Sequence, residues 1–142
     1  MLPVVCRRAI PLVVALALSG CASTGQEAGD DAAEQDPLAA LLDDAEDCVP
    51  LQRIDRTEVI DEQTVLFFMR GSEVYANRLP NRCPGLRRNK TIMYKTSLSQ
   101  LCNLDVITVL DQMGGGLQRG ASCGLGDFVP ISEATVELLR EN

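Results

Sequence analysis

From Arg53 onward the apolar residues arrive in runs of five to seven, rich in Val, Ile, Thr, Phe and Tyr and separated by turn residues. That spacing predicts strands rather than helices. The strongest run, Thr64-Val65-Leu66-Phe67-Phe68-Met69, is apolar on both faces, as a central strand covered on each side would be. Thr57 to Ile60 precedes it across Asp61-Glu62-Gln63, and Val74 to Leu79 follows it across Gly71-Ser72-Glu73, so the three predict a meander. Thr91 to Lys95 reads as a fourth strand with Ile92 and Tyr94 on one face, and Leu104 to Leu110 as a fifth, apolar enough to be central. After Gly114-Gly115-Gly116 a short sixth strand is expected near Gly124 to Ile131. Ser132 then caps a short C-terminal helix whose Val136 and Leu139 share a face, with Glu133 well placed in its first turn. Five or six short strands and one terminal helix predict a mainly β fold, a small barrel or a rolled antiparallel sheet.

The beginning of the chain has a different grain. Met1 to Arg8 ends in the pair Arg7-Arg8, Ala9 to Leu18 is an apolar run of ten, and Ser19-Gly20 closes it with small residues. A basic start, an apolar stretch and a small-residue end are the plan of an export signal, here over residues 1–20. As a helix the run would rise about 15 Å, roughly half of a hydrocarbon core, so it makes a poor permanent span. Ala22 to Glu34 holds Ala, Gly, Ser, Thr and acids but no large apolar side chain, so it cannot bury enough surface to offset the entropy of ordering. Residues 21–47 are read as a flexible acidic linker, with Asp36-Pro37 opening at most one or two helical turns through Leu38, Leu41 and Leu42. The folded domain is expected over residues 48–142. A domain of that size buries only about 60–65% of its unfolded surface and needs a brace.

Charge sharpens the division. The formal net charge is -7, yet nine acids and no Lys or Arg lie between Ala22 and Asp47, while residues 48–142 carry 11 acids and 11 bases. The acidity belongs to the linker, and the domain has no global field to recruit nucleic acid.

Leu18-Ser19-Gly20-Cys21 resembles the bacterial lipobox, and it stands where an export signal should end. The resemblance implies cleavage before Cys21, a diacylglycerol on its sulfur and an acyl group on its new amine, which makes the membrane a partner through Cys21. Each buried methylene contributes about 0.8 kcal/mol, so several acyl chains hold where one would not. In Gram-negative lipoproteins an Asp after the Cys retains the protein at the inner membrane; Ala22 stands here, which implies the outer membrane, facing the periplasm. The plainer alternative is an ordinary secretory signal with a chance Cys.

Setting aside Cys6 in the signal and Cys21 at the anchor leaves Cys48, Cys83, Cys102 and Cys123, an even number that predicts two disulfides in an oxidising compartment. Zinc is disfavoured, because no two of the four are closely spaced and the chain has no His. Three pairings are open. If successive strands alternate in direction, Cys48 and Cys102 fall at one end and Cys83 and Cys123 at the other, a parity that leans toward Cys48 with Cys102 and Cys83 with Cys123.

Candidate chemistry is sparse, and no cofactor is expected. Gly120-Ala121-Ser122-Cys123-Gly124 spells the nucleophile-elbow pattern of serine hydrolases, but that elbow needs a large α/β sheet and a His. A mobile, Gly-rich hairpin loop turning around a disulfide accounts for these residues better. Asp55, Glu58, Asp61 and Glu62 are the candidates for a small enzyme using carboxylate acid/base chemistry, although they sit on and beside a turn, where solvated carboxylates are ordinary. The clearest positive feature is basic: Arg78, Arg82, Arg87, Arg88, Lys90 and Lys95, with no acid from Leu79 to Lys95. Such a loop can dock phosphate or carboxylate groups of an anionic envelope polymer, or fold back on the acidic linker. Its plain account is a solvated surface loop.

From Cys48 to about Phe128 the chain resembles a family of short Gram-negative envelope proteins known only as a domain of unknown function. The residues that carry the resemblance are Thr57-Glu58-Val59-Ile60-Asp61, Thr64-Val65-Leu66-Phe67, Leu79-Pro80-Asn81-Arg82-Cys83-Pro84-Gly85-Leu86, Leu101-Cys102 with Asp105 and Ile107, and Gly120 to Gly126. It implies no activity and no catalytic residues. The expectation is a lipid-anchored envelope lipoprotein whose non-catalytic domain binds or supports an envelope protein or polymer, with the carboxylate enzyme as the alternative.

Overall fold

The computed structural model describes residues 37–142. The expected export signal, the expected lipobox with Cys21 and most of the expected linker lie outside them. Among the described residues nine strands form: β1 (Cys48–Pro50), β2 (Ile54–Val59), β3 (Thr64–Met69), β4 (Val74–Arg78), β5 (Thr91–Lys95), β6 (Gln100–Cys102), β7 (Val106–Met113), β8 (Gly116–Gly124) and β9 (Phe128–Ile131), followed by helix α1 (Glu133–Glu141). They make three antiparallel sheets, ordered β2-β3-β4-β9, β5-β7-β8 and β1-β6. The expected barrel or single rolled sheet is corrected: the residues between β4 and β5 carry the chain from one sheet to another, and none of the three closes on itself.

The meander over β2, β3 and β4 forms as its pattern predicts. β3 alternates between two cores. Val65, Phe67 and Met69 face the larger one, joined by Ile107 and Val109 of β7, Val49 of β1, Leu101 of β6 and the loop residues Leu79, Leu86 and Leu125. Phe67 meets Phe128 of β9 edge-on at 5.3 Å between ring centres. Leu66 faces the smaller core with Val74, Ala76, Val136 and Leu139. α1 covers that side of the sheet, and Ser132 caps it by accepting from the Thr135 amide at 3.2 Å.

Three expectations shift. The folded part begins before Cys48: a 3₁₀ segment spans Ala39–Asp44, and Leu38 is only 1% exposed in the α1 core. Glu46 exchanges two main-chain hydrogen bonds with Phe128, at 2.8 and 2.9 Å, and its carboxylate accepts the Tyr75 hydroxyl at 2.9 Å. One leucine and one added bridge on the β9 edge order these acidic residues, so the last part of the linker belongs to the domain. The fifth strand is β7 and starts at Val106, leaving Leu104 outside it. The Gly-rich stretch is not a mobile loop but β8, paired with β7 through a hairpin turn at Gly114-Gly115, both at positive φ as a primed two-residue turn requires. A register shift opposite Val109 brings Gly120 so close that a Cβ there would stand 2.7 Å from Asp111 Oδ2. Glycine fits that approach, and the ladder from β7 overrides its weak strand preference.

Both disulfides form, Cys48–Cys102 and Cys83–Cys123. This is the pairing toward which strand parity leans, but the reason is more local. Cys48 and Cys102 are direct partners in the β1–β6 ladder, whose three-residue strands are too short to persist alone. The second bridge ties the buried Cys83, in the chain that crosses between sheets, to β8.

Candidate functional site

The six basic residues divide among four places. Arg78 ends β4 and lines a groove with Leu38, Pro80 and Leu104. Arg82 is exposed and stands 3.4 Å from Glu62. Lys95 lies at the far end of β5, opposite Val106. Arg87, Arg88 and Lys90 converge. The Lys90 amide donates to the Arg87 carbonyl at 3.0 Å, and Asn89 sits at φ 65, the tight turn with a left-handed third residue that Asn tolerates. That turn gathers three cations around a recess of about 300 Å³ walled by Thr91, Leu110 and Gln112. Arg88 is fixed by its Nε–H donating to the Ile60 carbonyl at 3.1 Å, and Lys90 pairs with Asp111. Asp111 thus balances Lys90, while Arg87 and Arg88 are exposed, so the recess offers guanidinium donors to an anion from solvent.

The carboxylates serve the fold. Asp61 accepts the Gln63 amide at 2.6 Å in the β2–β3 turn, and Glu62 faces Arg82. Glu58 receives two hydrogen bonds from Arg140, at 2.7 and 2.9 Å, and Arg56 lies 3.5 Å away. The Arg140 hydrogen bond, outweighing the opposing effect of burial, holds the Glu58 carboxyl below its ordinary value and raises the Arg140 guanidinium above its own. Asp55 remains on the rim of a wider cleft, about 540 Å³, between β2, β3 and α1.

That cleft escapes the sequence reading. Its floor is Phe68, with the Arg56 guanidinium 3.6 Å from the ring centre and Arg140 at 5.9 Å. Glu73, Glu133 and Glu137 share its rim, with Glu73 paired to Arg53 and Glu137 to Arg140. Only the Glu137–Arg140 spacing is visible in sequence; the other partners meet across the fold. The arrangement latches α1 onto the sheet, and Arg56 already covers one face of Phe68.

Ser122 of the hydrolase-like pentapeptide lies within β8, its hydroxyl 2.9 Å from that of Thr108 across the ladder. It is an ordinary cross-strand hydroxyl pair.

No curated protein and no solved structure matches the chain. The pattern of one family matches residues 5–138, extending beyond the stretch from Cys48 to Phe128 at both ends. The chain belongs to DUF6491, a family of unknown function.

Proposed function

We propose that the chain is a lipid-anchored envelope lipoprotein, held by acyl groups on Cys21, whose domain is a non-catalytic module binding an anionic envelope polymer. The observation that carries the binding half is the recess of Arg87, Arg88 and Lys90, where a tight turn presents an excess of cations around a concave surface. Guanidinium forks suit the phosphate and carboxylate groups of such polymers. Leu18-Ser19-Gly20-Cys21 supports the anchor, Ala22 supports the outer membrane facing the periplasm, and two disulfides support an oxidising compartment. The carboxylate-enzyme alternative finds less support: Glu58 is held ionised by Arg140, and Asp61 and Glu62 are engaged in a turn and an ion pair.

The test is pelleting of the detergent-solubilised mature protein with cell-wall fragments across a salt series. Binding is expected at low salt, weakening as salt rises, and absent in Arg87→Gln/Arg88→Gln. No binding of the wild type at low salt refutes the binding half. Cys21→Ser should move the protein from the membrane to the soluble fraction, and its persistence in membranes refutes the anchor.

A further inference from the structure

The end of the domain where residue 37 enters carries an apolar ledge that the proposed binding does not use. Leu104 is 91% exposed and Leu42 56% exposed, and both flank a groove of about 380 Å³ lined by Leu38, Pro80, Leu125 and Val129. The backbone that carries Leu104 is firmly held. It lies in the turn from Cys102 to Asp105, closed by the Asp105 amide on the Cys102 carbonyl at 2.9 Å and by the Cys102 amide on Asp105 Oδ2 at 2.7 Å. Asn103 donates from its side chain to Asp47 and Asp127, at 3.2 and 2.6 Å, and from its amide to the Asp47 carbonyl at 2.8 Å. Cys102 is itself crosslinked to Cys48. A rigid turn therefore holds a large apolar side chain out in water, beside an apolar groove that could have sheltered it.

Position and charge say what covers it. Cys21 lies 17 positions before Leu38, a span of at most about 60 Å fully extended, so an acyl anchor keeps this end near a bilayer at high effective concentration. Asp43 and Asp44 follow Leu42 directly, and Asp47 and Asp127 flank Leu104; Arg78 also lines the groove, but acids outnumber it four to one, so the surroundings disfavour an anionic surface and leave apolar contact as the main attraction. We infer that Leu42 and Leu104 seat the domain on a zwitterionic lipid surface. The basic recess lies toward the other end of β7, beside Leu110 and Gln112, about 13–20 Å along the strand from Val106. The inference rests on the Cys21 anchor.

The chain contains no Trp, so one introduced Trp reports its own surroundings. The acylated mature protein carrying Leu104→Trp is reconstituted into phosphatidylcholine vesicles with and without brominated acyl chains. Leu42→Trp serves as a second reporter. Leu117→Trp, exposed at the β7–β8 hairpin and at the opposite end of β7, serves as the control. A blue-shifted emission that loses most of its intensity to brominated lipid is expected at positions 104 and 42, with position 117 red-shifted and unquenched. Position 104 as wet as position 117 in vesicle-bound protein overturns the seating and leaves the anchor standing; wild-type protein that does not sediment with vesicles removes both. A blue shift that appears without vesicles and grows with protein concentration assigns the ledge to a second copy, and quenching that requires added anionic lipid contradicts the charge argument. Either result overturns the inference.

Discussion

Removing the two disulfides one at a time should separate chain entropy from packing. Their sequence separations are 54 and 40, and constraint of an unfolded loop of those lengths contributes about 4.2 and 3.9 kcal/mol respectively at room temperature. On loop length alone Cys48→Ala/Cys102→Ala is the slightly costlier change. Burial reverses the order. Cys48 and Cys102 are half-buried and hold a short ladder that can fray locally, whereas Cys83 is fully buried against the larger core. Truncating its sulfur leaves a void worth roughly 1–2 kcal/mol more. Cys83→Ala/Cys123→Ala is therefore the more damaging pair, and a loss of about 5–6 kcal/mol takes most or all of the stability usual for a domain of this length. Urea unfolding of the two double variants beside the wild type, followed by circular dichroism, measures both losses. A larger loss for the Cys48–Cys102 variant, or a loss below ~1 kcal/mol for either, refutes the reasoning.

The remaining predictions concern the helix latch and one glycine. Glu58 is held below its ordinary value of 4.5, so its pairing with Arg140 stabilises the fold fully above that value, and the contribution fades as pH falls through the lowered one. Arg140→Gln should accordingly unfold more readily than wild type at pH 7, with the gap closing below pH 4.5; thermal scans across pH test this, and a gap that widens in acid counts against it. Gly126 exchanges hydrogen bonds of 2.5 and 2.9 Å with the buried Asn77 side chain, and a Cβ there would run into the Arg78 carbonyl oxygen. Gly126→Ala should cost about 2–3 kcal/mol, while Gly124→Ala, with open space around it, should stay within ~0.5 kcal/mol of wild type; equal melting temperatures would argue against so tight a contact.

What could be read from the sequence was whatever rests on neighbours along the chain. β3 announces itself by being apolar on both faces, β5 by alternation and α1 by Ser132 with Val136 and Leu139. β1 and β6 are three residues each, too short for any period, and exist because a crosslink and a ladder join them. β8 hides behind its glycines, since its strand conformation comes from β7 rather than from its own residues. The functional surfaces follow the same rule. The density of cations from Arg87 to Lys90 is visible directly, because one turn gathers them. The departure of Arg78, Arg82 and Lys95 is not, because it depends on a connection that changes sheets. The latch is further from reach: Glu58 and Arg140 stand 82 positions apart, and nothing local marks them as partners.

The two crosslinks interleave, since Cys83 lies inside the interval from Cys48 to Cys102 and Cys123 lies outside it. Cut the backbone once, anywhere from Cys48 to Cys123, and at least one sulfur bond still spans the cut. A protease that clips a single surface loop in this interval thus releases no fragment, and the nicked halves keep the proximity they need to close up again.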